Sequence, residues 1–189
     1  MGELFDIGKK QLIISDQRIQ LLDGIMDQVL LNPTQFRFGS RPIEMQPFTL
    51  GSKYLIEIKD DLDRKITLEW NSYLNFGKKK ILDSYEGVLD KLWMYFFKER
   101  LKKYNQLLDE GGVVTLGNYQ LSREWIKKVN KEKNRERTIS MDNTVVIRNW
   151  DQLIIKSKFD PELIFRIDTL NEWNSPFIYS LLDRLKSEG

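Results

Sequence analysis

The chain has 189 residues, 41% hydrophobic, 12% aromatic and 31% charged, with 30 Lys+Arg against 28 Asp+Glu for a net charge of +2. That balance supports a buried core and is too apolar and too nearly neutral for a disordered chain. With no Cys and no His, disulfides, thiolate nucleophiles, zinc ribbons, iron–sulfur clusters, Ser-His-Asp triads and imidazole acid/base chemistry are all excluded. No constellation of carboxylate, Lys, Tyr or Ser/Lys chemistry stands out in their place, so the expectation is a chain without catalysis or cofactor.

The first six residues, Met1 to Asp6, lack the basic stretch and apolar run of a secretory leader. The densest apolar patch, 92–97, is far shorter than the roughly 20 residues of a membrane span, and a cytoplasmic chain is expected. Residues 11–14 and 35–39 read as strands. Between them Ile19, Leu22, Met26, Val29 and Leu30 fall at helical spacing behind Ser15 or Asp16 as a cap, yet 18–22 reads equally as a strand returning from 11–14. Gly24 weakens the helix, and a strand is preferred at the start. Tyr54, Ile56 and Ile58 then alternate with other residues, Asp60, Asp61 and Asp63 supply turn chemistry, and Ile66, Leu68 and Trp70 alternate again, which spells a β-hairpin.

From about 80 to 109 the period changes. Ile81, Tyr85, Val88, Leu92, Phe96, Leu101, Tyr104 and Leu108 mark one long amphipathic helix, ended by Gly111-Gly112. Gly87 is its weak position and suggests close packing against a neighbour. Short strands follow at 113–116, 119–121, 125–129, 138–140, 144–148, 152–157 and 163–169, separated by turn formers such as Gly117-Asn118, Asp142-Asn143 and Asp160-Pro161. The chain closes on a second amphipathic helix, about 175–187, with Asn174-Ser175-Pro176 as its start.

Glu69-Trp70-Asn71-Ser72 recurs as Glu172-Trp173-Asn174-Ser175, each time between an alternating hairpin and a helix. The repeat predicts a duplicated unit, with Trp70, Trp150 and Trp173 plugging strand ends, their indole N–H groups on backbone partners, and Asn71 and Asn174 capping helices. Gly112-Val113-Val114-Thr115-Leu116-Gly117, Leu121-Ser122, Trp125-Ile126, Asn149-Trp150-Asp151 and Trp173-Asn174 resemble the pleckstrin-homology-like (PH-like) half of uncharacterised bacterial proteins. The resemblance implies an α+β fold of two PH-like antiparallel β-barrels or sandwiches, 1–109 and 110–189, each closed by a C-terminal helix, the first helix long. The family implies no activity.

Two candidate surfaces stand out. Lys127, Lys128, Lys131, Lys133, Arg135 and Arg137 crowd one hairpin, where PH-like folds hold anionic headgroups, and Lys128, Arg135 and Arg137 fit a lysine, spacer, Arg-x-Arg pattern; Glu132 and Glu136 dilute the charge. With no aromatic in that loop to stack bases, nucleic acid is the weaker ligand. Trp93, Tyr95, Phe96 and Phe97 form an aromatic stretch on the long helix, with Tyr95 off its main apolar face; it packs inside the chain or makes a homodimer seam. Lys78-Lys79-Lys80 opposes the dipole at that helix's start, and serves a partner or is solvated surface. Asp60, Asp61 and Asp63 lack the glycine-centred loop and distal glutamate of a calcium site. The expectation is a protein-interaction or scaffolding module, the alternative a peripheral module for acidic lipid acting through 127–137.

Overall fold

From Lys65 to Tyr73 every second side chain (Ile66, Leu68, Trp70, Ser72) is buried and those between are exposed, the alternation of a strand with a core on one face only. The computed structural model describes all residues except 1, 47, 75, 131–134, 150 and 189. The fold is α+β, with antiparallel sheets and a long helix. It gathers into two compact units, Met1–Glu99 and Arg100–Gly189, so the division falls inside the long helix and not at its end.

In the first unit β1 (Glu3–Ile7), β2 (Lys10–Ile14), β3 (Arg18–Leu22) and β4 (Gln28–Leu31) form a four-stranded meander, and β5 (Gln35–Met45), β6 (Phe48–Lys59) and β7 (Lys65–Tyr73) a three-stranded one. The helical alternative for 15–31 is thereby overturned: Ile19 pairs with Leu30 across two strands. Their turn is set by Asp23, whose Oδ1 accepts the N–H groups of Ile25 and Met26 at 3.0 and 2.7 Å. Helical spacing misleads there because Met26 is exposed, whereas Leu21, outside the spacing, is buried. The β5–β6 hairpin is also longer than its alternating part, with register running out to Met45 opposite Phe48 and a bulge between Ile43 and Glu44.

The long helix is not one uninterrupted α-helix. It consists of α1 (Lys78–Leu92), a π-helical turn at Trp93–Phe97, and α2 (Lys98–Asp109). The Lys98 N–H reaches the Trp93 carbonyl five residues back, so one extra residue sits in the turn. Phe96 and Phe97, neighbours in sequence, are both buried, while Trp93 and Met94 stay nearly half exposed. Phe97 meets Phe36 edge-on at 4.7 Å and lies nearly parallel to Phe38 at 5.9 Å. At Gly87 a methyl group would touch the Phe5 ring at 3.6 Å, an ordinary contact. The helix ends in a Schellman motif: Gly112 N–H bonds Leu107 O at 2.8 Å and Gly111 N–H bonds Leu108 O at 3.0 Å, with Gly111 at φ 79.

In the second unit β8 (Val114–Leu116), β9 (Tyr119–Leu121), β10 (Trp125–Asn130) and β11 (Arg135–Ser140) form a four-stranded meander; a 3-10 turn, Met141–Asn143, leads into β12 (Thr144–Arg148), β13 (Gln152–Ser157) and β14 (Ile164–Asp168). The helix α3 (Ser175–Ser187) buries Phe177, Ile178, Leu181, Leu182 and Leu185, and Phe177 meets Tyr104 of α2 edge-on at 5.6 Å. After the α2 residues that open the second unit, both units run four strands, three strands, helix. The four sheets are separate, and none closes into a barrel among the described residues.

The tetrapeptide does not align the two units. Glu69 to Ser72 lies within β7, whereas Glu172, Trp173 and Asn174 make the turn into α3. Trp70 is buried edge-on to Tyr85 at 5.6 Å with its indole N–H unpartnered among the described residues; Trp173 is only half-buried. Asn71 is no cap: its Nδ2 donates to Glu69 Oε1 at 2.9 Å. Asn174 stands at the start of α3 at φ 62 with no side-chain cap bond. The position of Trp150 lies outside the described residues.

The first unit also holds a buried acid. Glu57 accepts Lys65 Nζ at 2.7 Å and Thr67 Oγ1 at 3.1 Å and pairs with Arg37. Burial pushes its carboxyl up, but the hydrogen bonds and charges of Lys65 and Arg37 outweigh that and hold it below its ordinary value. A depressed carboxyl contributes stability above its unfolded value, lost as pH falls through the folded one. Glu57→Gln should therefore cost about 2–3 kcal/mol at neutral pH and flatten the decline in melting temperature below about pH 5, as melts across pH would record.

Candidate interaction site

The basic hairpin divides its charge between two faces. Successive residues of a strand point to opposite sides, so Lys127 and Lys128 diverge. Lys127 Nζ pairs with Glu136 at 2.8 Å and lies 5.2 Å from the Trp125 ring centre; Lys128 Nζ sits 5.4 Å from that of Tyr119. Lys128 and Arg137 face each other across the strands. Lys131, Lys133 and the side chain of Arg135 lie outside the described residues. Of the aromatic helix stretch, Phe96 and Phe97 belong to the first unit's core, Tyr95 is half-buried, and Trp93 turns partly outward.

The acidic turn is internally satisfied. Asp60 is buried, accepting the N–H groups of Leu62 and Arg64 at 3.0 Å and the Arg64 guanidinium at 2.6 Å. Among the described residues no group of three or more acids is placed to hold a metal ion.

A further site was not singled out by the sequence. β12 is the outer strand of the sheet β12-β13-β14. At its two ends Lys158 N–H bonds Asn143 O at 2.7 Å and Asn149 N–H bonds Gln152 O at 2.8 Å. In an antiparallel ladder this pairing alternates, so the odd-numbered residues turn their peptide groups toward β13, and Thr144, Val146 and Arg148 turn theirs outward. The Thr144 N–H goes to Met141 O, and its carbonyl accepts Lys186 Nζ at 3.0 Å. On that side Val146 and Arg148 have no backbone partner among the described residues.

Facing this edge, α3 supplies Tyr179, Asp183 and Lys186, and with Thr144, Val146, Arg148 and Lys158 they line a groove of about 440 Å³. The Arg148 guanidinium lies 4.6 Å from the Tyr179 ring centre, and Lys158 Nζ donates to Asp142 O at 2.8 Å. Three cations against one carboxylate make the groove basic. Its strand and helix are legible in sequence; their adjacency is not, because only the sheet order makes β12 an edge.

Comparison of the chain with known protein families, characterised proteins and solved structures returned no match. Among the described residues no helix is long and apolar enough to cross a membrane.

Proposed function

We propose that this chain is a non-catalytic protein-interaction module of two PH-like units, whose β12–α3 groove takes an extended segment of a partner protein as an added strand. The carrying observation is the pair of outward peptide units at Val146 and Arg148, unpartnered among the described residues, beside a helix wall. An incoming strand would satisfy those donors and acceptors, while side chains at alternate positions would enter the groove. Arg148, Lys158 and Lys186 favour carboxylates at those positions. The basic hairpin supports a ligand less well, since Glu136 pairs with Lys127 and, among the described residues, only Lys128 and Arg137 share the opposite face.

The test uses fluorescent decapeptides with Glu or Asp at every second position. Val146→Pro removes the outward N–H without removing a ladder bond, and proline is tolerated on an edge strand. The melting temperature should change little, and peptide affinity should fall at least about tenfold. Equal binding by wild type and variant, or no binding by either, would reject the reading.

A further inference from the structure

The first unit carries an exposed apolar tip whose construction the peptide groove does not explain. Met45 and Phe48 face each other at the end of the β5–β6 hairpin, and directly paired residues share a face of the ribbon. Two residues further along, Leu50 O accepts the N–H of Leu74 at 2.7 Å, and Phe76 N–H bonds Tyr73 O at 2.9 Å. The loop from β7 to α1 is thus tied to the arm. Met45, Phe48, Tyr73, Leu74 and Phe76 are each more than half exposed. One step on, α1 begins with Lys78, Lys79 and Lys80 and no acid in its first turn.

Three unfavourable choices coincide between residues 74 and 80. Leu74 is a bulky residue at φ 50, a left-handed conformation that such residues avoid, and its side chain recovers nothing by burial. Phe76 stands in water. Lysines occupy the positive end of a helix dipole, and none of the three has an ion pair among the described residues. A single environment relieves the second and third and gives the first a purpose: an interface that is apolar a few ångströms down and negatively charged at its surface.

We infer that this tip docks the protein on an anionic membrane surface, with Phe48, Leu74 and Phe76 entering the headgroup boundary and Lys78, Lys79 and Lys80 meeting the lipid phosphates. The apolar side chains project from two loop ends, which suits a fluid plane that closes around them. The local charge is complementary, since Lys78, Lys79 and Lys80 stand together with no acid in that first turn. This site is separate from the peptide groove and does not depend on it.

The test is co-sedimentation of the full chain with phosphatidylcholine vesicles, with and without phosphatidylglycerol. Binding should require the anionic lipid and fade with salt. Phe48→Ser with Phe76→Ser should abolish it with unchanged melting temperature, because these side chains touch no core, and joint replacement of Lys78, Lys79 and Lys80 by Glu should weaken it on the order of 100-fold while the melting temperature holds or rises, since acids suit that end of the helix. In Phe48→Trp the added indole emission should shift to the blue on anionic vesicles. The inference is overturned if neither vesicle is bound, if the tip variants bind like wild type, if only Lys127→Glu with Lys128→Glu loses binding, or if the serine pair instead dissolves a self-associated form, which would assign the tip to a second copy.

Discussion

Phe97→Ala should destabilise the first unit by about 3–5 kcal/mol, a large share of what a domain of that size has to lose. Phe97 is fully enclosed, meeting Phe36 edge-on and Phe38 nearly parallel, with Trp93 edge-on at 6.0 Å. Truncation removes the ring from all three partners at once. The β-sheet and the π turn that surround the void are held by backbone hydrogen bonds and collapse poorly. Phe97→Leu, which retains most of the volume, should cost less than half as much. Urea unfolding followed by segment-resolved amide exchange checks the point: protection should fall first in β5, β6 and the π turn, and loss confined to the second unit would contradict the packing.

Gly51→Ala is expected to be nearly as damaging, through contact and not through a void. A methyl group there would stand 1.7 Å from the Ser72 carbonyl oxygen and 3.1 Å from Tyr73 Cα. Both neighbours are backbone, so neither can rotate away; β6 and β7 must separate where Gly51 pairs with Tyr73 and Ser52 with Ser72. The cost should be roughly 3 kcal/mol, a melting temperature lower by roughly 10–20 °C. Circular dichroism melts would measure it. The same separation strains the Leu50–Leu74 bond that ties the hairpin tip to the helix loop, so vesicle binding should weaken in this variant even at temperatures where it remains folded.

Legibility in the sequence followed burial. Ile66, Leu68 and Trp70, or Phe177, Ile178 and Leu181, announce their elements because a core lies under one face only. The outer part of the β5–β6 hairpin stayed silent: from Arg41 to Thr49 its side chains are mostly exposed, and a ribbon with water on both faces has no reason to alternate. Residues 15–31 were ambiguous because short strands with few inward positions can imitate helical spacing. The π turn had no signature beyond five large residues in a row, whose phase is decided by Phe36 and Phe38, distant in sequence. The EWNS pair misled for a related reason: four letters fix no backbone state when one copy lies in a sheet and the other in a turn. The charge-rich segments at 78–80 and 127–137 were visible from the outset; that the first of them follows a cluster of exposed apolar side chains at a hairpin tip was not.

An open strand border is a hazard as well as an opportunity, since the groups that invite a foreign segment invite an identical one equally. Around β12 the flanking cations settle that competition. Were two molecules to join border to border, antiparallel about Val146, Arg148 of each would approach the Thr144 end of the other, where Lys186 is anchored, and like charges would be forced together as the strands zipped. The groove would thus reject its own kind while remaining receptive to carboxylates, a discrimination that ought to fade as ionic strength rises.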